Sequence, residues 1–202
     1  MLTTALSGFG FSLSLIVAIG AQNAFVMRQG LRREHVGVVV AICALSDALL
    51  IALGTAGIGA LIADNSTLLT VVTIVGAAVL LGYAFIAARR AARPQALVIE
   101  GANEPGRLLP VALTCLALTW LNPHVYLDTL VLLGSIASTY ASPWAFAGGA
   151  IAGSLIWFTA LGFGATKLRP LFAQPSAWRI FDLAVAAIMV AVAASLLRGL
   201  FG

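Results

Sequence analysis

The chain has 202 residues, 61% of them hydrophobic and only 9% charged, with a mean hydropathy of +1.07. Soluble domains carry about a quarter charged residues, so the composition excludes a water-soluble domain and predicts an all-α polytopic membrane protein. The net charge of +4 and pI near 9.7 do not call for a nucleic-acid partner, because the basic residues gather in short loops between apolar runs.

The first apolar run, about 3–27, is interrupted by Gly20-Ala21-Gln22-Asn23. A helix crossing the hydrocarbon core needs roughly 20 residues, and unpaired polar groups inside it cost several kcal/mol. The sequence therefore predicts a break there, with the helix restarting after Asn23. No basic segment precedes the run, so no cleavable signal is expected.

The second run, about 37–63, carries Asp47 roughly ten residues from its start, or about 15 Å at the helical rise, close to mid-membrane. Its Gly54, Gly57 and Gly59 read as helix-packing positions. The third run is about 67–88. A segment at about 89–108, containing Pro94, Gly101, Pro105 and Gly106, reads as a linker between two halves of a single membrane domain, about 1–88 and 109–202.

The fourth run, about 109–135, contains Trp120-Leu121-Asn122-Pro123. Asn then Pro is the pattern of an N-cap and first helical residue, so a second break is expected with a new helix from Pro123. Asp128 follows within that helix. Tyr126 stands four residues after Asn122, on the same helical face, and His124, directly after the proline, reads first as a buried neutral histidine. The fifth run, about 144–165, has a GxxxG at Gly149 and Gly153, another packing signal. The sixth is about 180–197, with Asp182 expected as an interfacial partner of Arg179. Trp144, Trp157 and Trp178 read as interfacial belt residues, and Trp120 as the exception beside the break.

Arg28, Arg32 and Arg33 lie in the first loop, Arg89, Arg90, Arg93 and Arg107 in the third, and Lys167, Arg169 and Arg179 in the fifth. The second loop has only Asp64. The positive-inside rule makes the first, third and fifth loops cytoplasmic; six spans then leave both termini outside. A five-span alternative omits the first or last run. Three spans per half make the halves face opposite ways, so the expected architecture is six transmembrane helices as two inverted three-helix repeats, with broken first and fourth helices.

Acids inside a membrane span are costly and usually face a polar pathway or a partner. No Lys or Arg lies deep in a predicted run to pair with Asp47 or Asp128. Helix N-termini at the two breaks suit a carboxylate, and the two acids suit a cation. Together they fit an amino acid with a basic side chain. The candidate binding residues are Gln22, Asn23, Asp47, Asn122, Tyr126 and Asp128, with Asp47 and Asp128 also the candidates for carrying a proton. No catalytic residue, metal site or cofactor is expected. Cys43 and Cys115 lie inside apolar runs and read as small hydrophobes; a thiol–disulfide electron carrier is the reading they would otherwise support.

The runs Gly20-Ala21-Gln22-Asn23-Ala24-Phe25-Val26-Met27-Arg28-Gln29-Gly30, Ser46-Asp47, Leu118-Thr119-Trp120-Leu121-Asn122-Pro123-His124-Val125-Tyr126-Leu127-Asp128, Ser154-Leu155-Ile156-Trp157-Phe158 and Gly162-Phe163-Gly164-Ala165 resemble the lysine/arginine exporter family across essentially the whole chain. That resemblance implies an inner-membrane exporter of L-lysine and L-arginine energised by the proton-motive force. Related neutral amino-acid exporters carry Pro-Gly-Pro where this chain has Gly20-Ala21-Gln22, which favours basic substrates. A neutral amino-acid or inorganic-cation exporter is the alternative, and a homodimer is a plausible assembly.

Overall fold

The computed structural model describes residues 1–17, 20–58, 66–92 and 107–201, all helical or in short turns. Eight helices carry the described chain: α1 (Leu2–Ile16), α2 (Ala21–Arg32), α3 (Val36–Thr55), α4 (Ser66–Ala92), α5 (Leu108–Trp120), α6 (Pro123–Ser138), α7 (Pro143–Ala165) and α8 (Pro175–Phe201). A 3₁₀ segment, Thr166–Phe172, joins α7 to α8. Four helices are long and apolar enough to cross a membrane, and six spans result if α1 with α2 and α5 with α6 are each one broken span. The helix axes within those pairs meet at 85° and 57°. The protein is thus a multi-pass membrane protein.

Both breaks fall where the sequence places them, with one correction. The second helix half restarts at Ala21 rather than after Asn23, because Gly20 takes the extended N-cap conformation (φ −102°, ψ −176°). Asn23 sits inside the first turn. At the other break Asn122 is the N-cap, its side chain accepting the His124 N–H at 3.2 Å, with Pro123 as the first helical residue.

α2 continues through Arg32, so the loop expected from Arg28 shrinks to Arg33–His35, where Arg33 and His35 turn the chain with φ +56° and +49°. α3 ends at Thr55, short of the expected 63. Gly57 at φ +90° donates its N–H to the Gly54 carbonyl, the left-handed arrangement in which glycine ends a helix. Gly57 is therefore a turn residue, while Gly59, the Asp64 loop, Arg93 and the linker glycines and prolines lie outside the described residues.

α1 lies along α7, α6 along α3, and α3 against α7, while α4 pairs with α8. Glycines set the closest approaches, since small residues let backbones meet in lipid. A Cβ on Gly30 of α2 would sit 2.2 Å from the Gly162 carbonyl oxygen of α7, and one on Gly134 of α6 would sit 2.5 Å from the Gly54 carbonyl oxygen of α3. Gly149 abuts Ala5 and Gly153 abuts Phe9, so the fifth-span GxxxG packs as expected, against α1.

Inside α6, residues Tyr126–Leu132 form a π-helical segment. Ten residues separate Gly20 from Gly30, and twelve separate Asn122 from Gly134. The wider π turn takes up more residues per turn than an α-helix, so each half-helix still brings a glycine onto the span it packs against.

Candidate functional site

The two breaks meet. A cavity of about 240 Å³ lies between them, lined by the end of α1 (Leu15, Ile16), the start of α2 (Gly20 to Asn23), Asp47 of α3, Asn122, the α6 turn bearing His124, Val125, Asp128 and Thr129, Phe158 of α7 and Val192 of α8. Of the six candidate binding residues, Gln22, Asn23, Asp47, Asn122 and Asp128 therefore share one site. Tyr126 does not line it: its hydroxyl donates to the Trp120 carbonyl at 2.6 Å.

Asp47 stands eleven residues into α3, about 16 Å along the axis, and is only 4% exposed. Ser154 of α7 donates a hydrogen bond to one of its oxygens at 2.7 Å. Among the described residues no Lys, Arg or His forms an ion pair with Asp47 or Asp128. Arg28 is a buried arginine, but its guanidinium pairs with Asp182. Asp128 lies on the π segment and shares a face with His124 one turn earlier. π turns recur at functional sites because they redirect a side chain without ending the helix.

The polar groups of the first break are arranged differently from those of the second. The Asn23 amide donates to the Ile16 carbonyl at 2.6 Å, and its oxygen accepts the Trp157 indole N–H at 3.3 Å. Asn23 thus satisfies a carbonyl left open by the end of α1 and ties it to α7. No side chain caps the N-terminus of α2 at Gly20. The Gln22 amide nitrogen is buried in the cavity wall, with no well-aligned acceptor among the described residues and the Cys43 thiol as its neighbour.

Several features of the site carried no sequence signal strong enough to select them. Phe158, Thr129 and Val192 are ordinary membrane-helix residues until three-dimensional packing brings them to the cavity, and Ser154 until it reaches Asp47. Trp157 and Trp178 are not belt residues: one holds Asn23, and the other is 5% exposed beneath the Arg28 guanidinium. Trp144, at 62% exposure, fits the interfacial reading. Trp120, the expected exception, donates its indole N–H to Ser46 at 3.0 Å, next to Asp47. The Cys43 and Cys115 thiols are 3.4 Å apart, yet both are fully buried and neither lines the cavity.

The profile of the family described as "LysE type translocator" matches residues 13–200. The chain belongs to the LysE-type translocator family. Its LysE-type relatives include the "Arginine exporter protein ArgO" of Yersinia enterocolitica, 42% identical over 204 residues and covering 98% of each chain. The "Lysine exporter LysE" of Corynebacterium diphtheriae is 37% identical over 227 residues, covering 97% of this chain and 99% of the relative. The "Putative amino-acid transporter Rv0488" of Mycobacterium tuberculosis is 50% identical over 182 residues, 90% of each. No solved structure matches the chain. As a LysE-type protein the chain is a membrane translocator, and the motif-rich runs at both breaks lie inside the matched region.

Proposed function

We propose that this protein is a secondary active exporter of basic L-amino acids, L-arginine, L-lysine or both, across the bacterial inner membrane. The observation that carries this reading is the cavity itself: two carboxylates without an ion-pair partner among the described residues, beside a helix N-terminus whose N-cap, Gly20, supplies no side-chain cap. A cationic side chain answers Asp47 and Asp128. The substrate carboxylate answers the α2 N-terminus and the Gln22 amide nitrogen in the cavity wall, as anions do at helix N-termini generally. A neutral amino acid would leave one acid unanswered. The relatives named as lysine and arginine exporters support the same substrates.

Energetics require coupling. Moving one positive charge outward against an inside-negative potential costs about 2.3 kcal/mol per 100 mV. A uniporter would therefore accumulate arginine, and inward proton flow is the available downhill charge. Asp47 is the proposed carrier: proton and substrate cation compete for one carboxylate, so binding one releases the other. Asp128 assists from the π segment.

Alternating access fits a pair of inverted repeats. Support comes from the matched packing of the halves: α1 and α2 lie on α7 as α5 and α6 lie on α3, and Gly30 meets Gly162 as Gly134 meets Gly54. In this arrangement both termini face outward, following the loop charges.

The test is export of labelled arginine and lysine from proteoliposomes under an imposed pH gradient. The expected result is export that collapses without the gradient, competes with canavanine but not with citrulline, and falls to background in Asp47→Asn. Parental export rates in Asp47→Asn would overturn the assignment.

A further inference from the structure

Outside the cavity the described chain holds one other buried charge cluster. Asp182 of α8 is 3% exposed and accepts from the Arg28 guanidinium of α2 and from Arg90 Nε of α4 at 3.3 Å, both at the same carboxylate oxygen. The sequence predicts an interfacial pairing of Asp182 with Arg179; the structure instead gives Asp182 the guanidinium of Arg28, 154 positions away, because α2 folds back against the start of α8. Arg28 also lies over the Trp178 ring at 5.3 Å, and Arg90 over Tyr83 at 5.4 Å. Three separate helices are held by one carboxylate.

The cluster's position is informative. Gln22 lines the cavity, and Arg28 follows it by six residues on the same helix, about 9 Å. Val192 lines the cavity, and Asp182 precedes it by ten residues on α8, about 15 Å. Both displacements run toward the loops that carry the basic residues. The second half of the other broken span, α6, has no ion pair to α4 or α8 among the described residues. Among the described residues, a buried ion-pair cluster thus stands on the basic-loop side of the cavity and none on the other.

We propose that Arg28, Arg90 and Asp182 form the cytoplasmic gate of the transporter, closed in this conformation and broken when α2 swings away from α4 and α8 to admit substrate. The inference rests on the transport reading given above. A buried ion pair suits such a joint because its Coulomb gain is largely offset by desolvation. When the joint opens, water reaches the charges and restores that loss, so neither state is strongly disfavoured. An apolar seam of the same size would expose greasy surface instead. Two arginines to one acid also leave a positive charge on the closed gate, which opposes return of a cation drawn inward by the membrane potential.

The test has two arms, both in a Cys43→Ala/Cys115→Ala background. In the first, Arg28→Cys/Asp182→Cys is bridged by a short, reducible bis-methanethiosulfonate reagent. Arginine export should fall at least about tenfold and recover on reduction. Export by the bridged protein within about twofold of the reduced form would overturn the gate.

In the second arm, Val192→Cys reports access to the cavity for a membrane-impermeant maleimide, with no substrate present. Adding Asp182→Asn should raise labelling from the cytoplasmic face about fivefold or more, and the charge swap Arg28→Asp/Asp182→Arg should bring it back down. Unchanged labelling, or a rise from the outer face alone, overturns the gate. If Asp182→Asn does not fold, the bridged pair decides. If gate labelling behaves as expected while the parent protein exports no arginine, the substrate reading fails and the gate stands.

Discussion

The two breaks do the same job by different chemistry. At the second, Asn122 caps α6 in the ordinary way: an oxygen accepts a first-turn N–H and Pro123 begins the helix. At the first, Gly20 leaves the α2 N-terminus without a side-chain cap, and the nearby asparagine turns its amide back to the end of α1. Each break also satisfies a carbonyl at the end of its first half-helix, through Asn23 on Ile16 and through Tyr126 on Trp120. The lesson is a division of labour. A helix end capped by its own side chain serves structure, and one left uncapped beside a cavity is available to a ligand. The first break is therefore the expected binding end, and the second the expected scaffold.

The sharpest way to break that comparison is at the glycines that seat the two half-helices. Gly30→Ala places a Cβ 2.2 Å from a backbone carbonyl, and Gly134→Ala one at 2.5 Å, neither of which can move aside cheaply. Overpacking of this kind costs about 1–3 kcal/mol and occasionally more. Both variants should lose folded protein, measured as monodisperse yield and thermal unfolding in detergent. A Gly30→Ala protein of parental stability would show that α2 is not seated on α7 as described.

Next comes Asn23→Ala. It removes the partner of both the Ile16 carbonyl and the Trp157 N–H, and a buried group left unsatisfied costs about 1–3 kcal/mol. Asn122→Ala removes only a cap, for which about 1 kcal/mol is typical. In thermal unfolding Asn23→Ala should be the less stable of the two. The reverse order would mean that the second asparagine, not the first, holds the breaks together. Gln22→Ala should leave stability near the parent value while weakening arginine affinity in equilibrium binding, since its amide nitrogen has at most the weakly accepting Cys43 thiol to lose.

How much of this was legible beforehand follows from the range of each interaction. Asn122 and Pro123 announce a helix start because capping is decided within three residues, and the structure agrees. Asp47 and Asp128 stand out because charge in an apolar run is rare, and both reach the cavity. Asn23 marks the break, yet the helix restarts at Ala21 and the carboxamide reaches back seven residues to Ile16, since spacing alone cannot tell which way such a side chain turns. Asp182 was misread because its partner comes from the other half of the chain, while Arg179, three residues away, looked sufficient. The π segment carries no local signal: it falls within the twelve-residue interval from Asn122 to Gly134, where the first half has ten from Gly20 to Gly30, a difference that gains meaning only once the helices pack.

Tyr126→Phe tests the smallest difference between the breaks. The tyrosine was a candidate ligand from its spacing to Asn122, yet its hydroxyl is spent on the Trp120 carbonyl and it does not line the cavity. Hydrogen bonds between membrane segments average about 0.6 kcal/mol, and the phenylalanine ring keeps the edge contact with Trp120. The variant should therefore lose stability on that scale and retain arginine affinity within about twofold, a free-energy change of less than 1 kcal/mol. A large affinity loss at unchanged stability would mean that the hydroxyl leaves Trp120 for the substrate during the cycle. The second break would then be a binding end as well, and the division between a ligand-facing break and a structural one would fall.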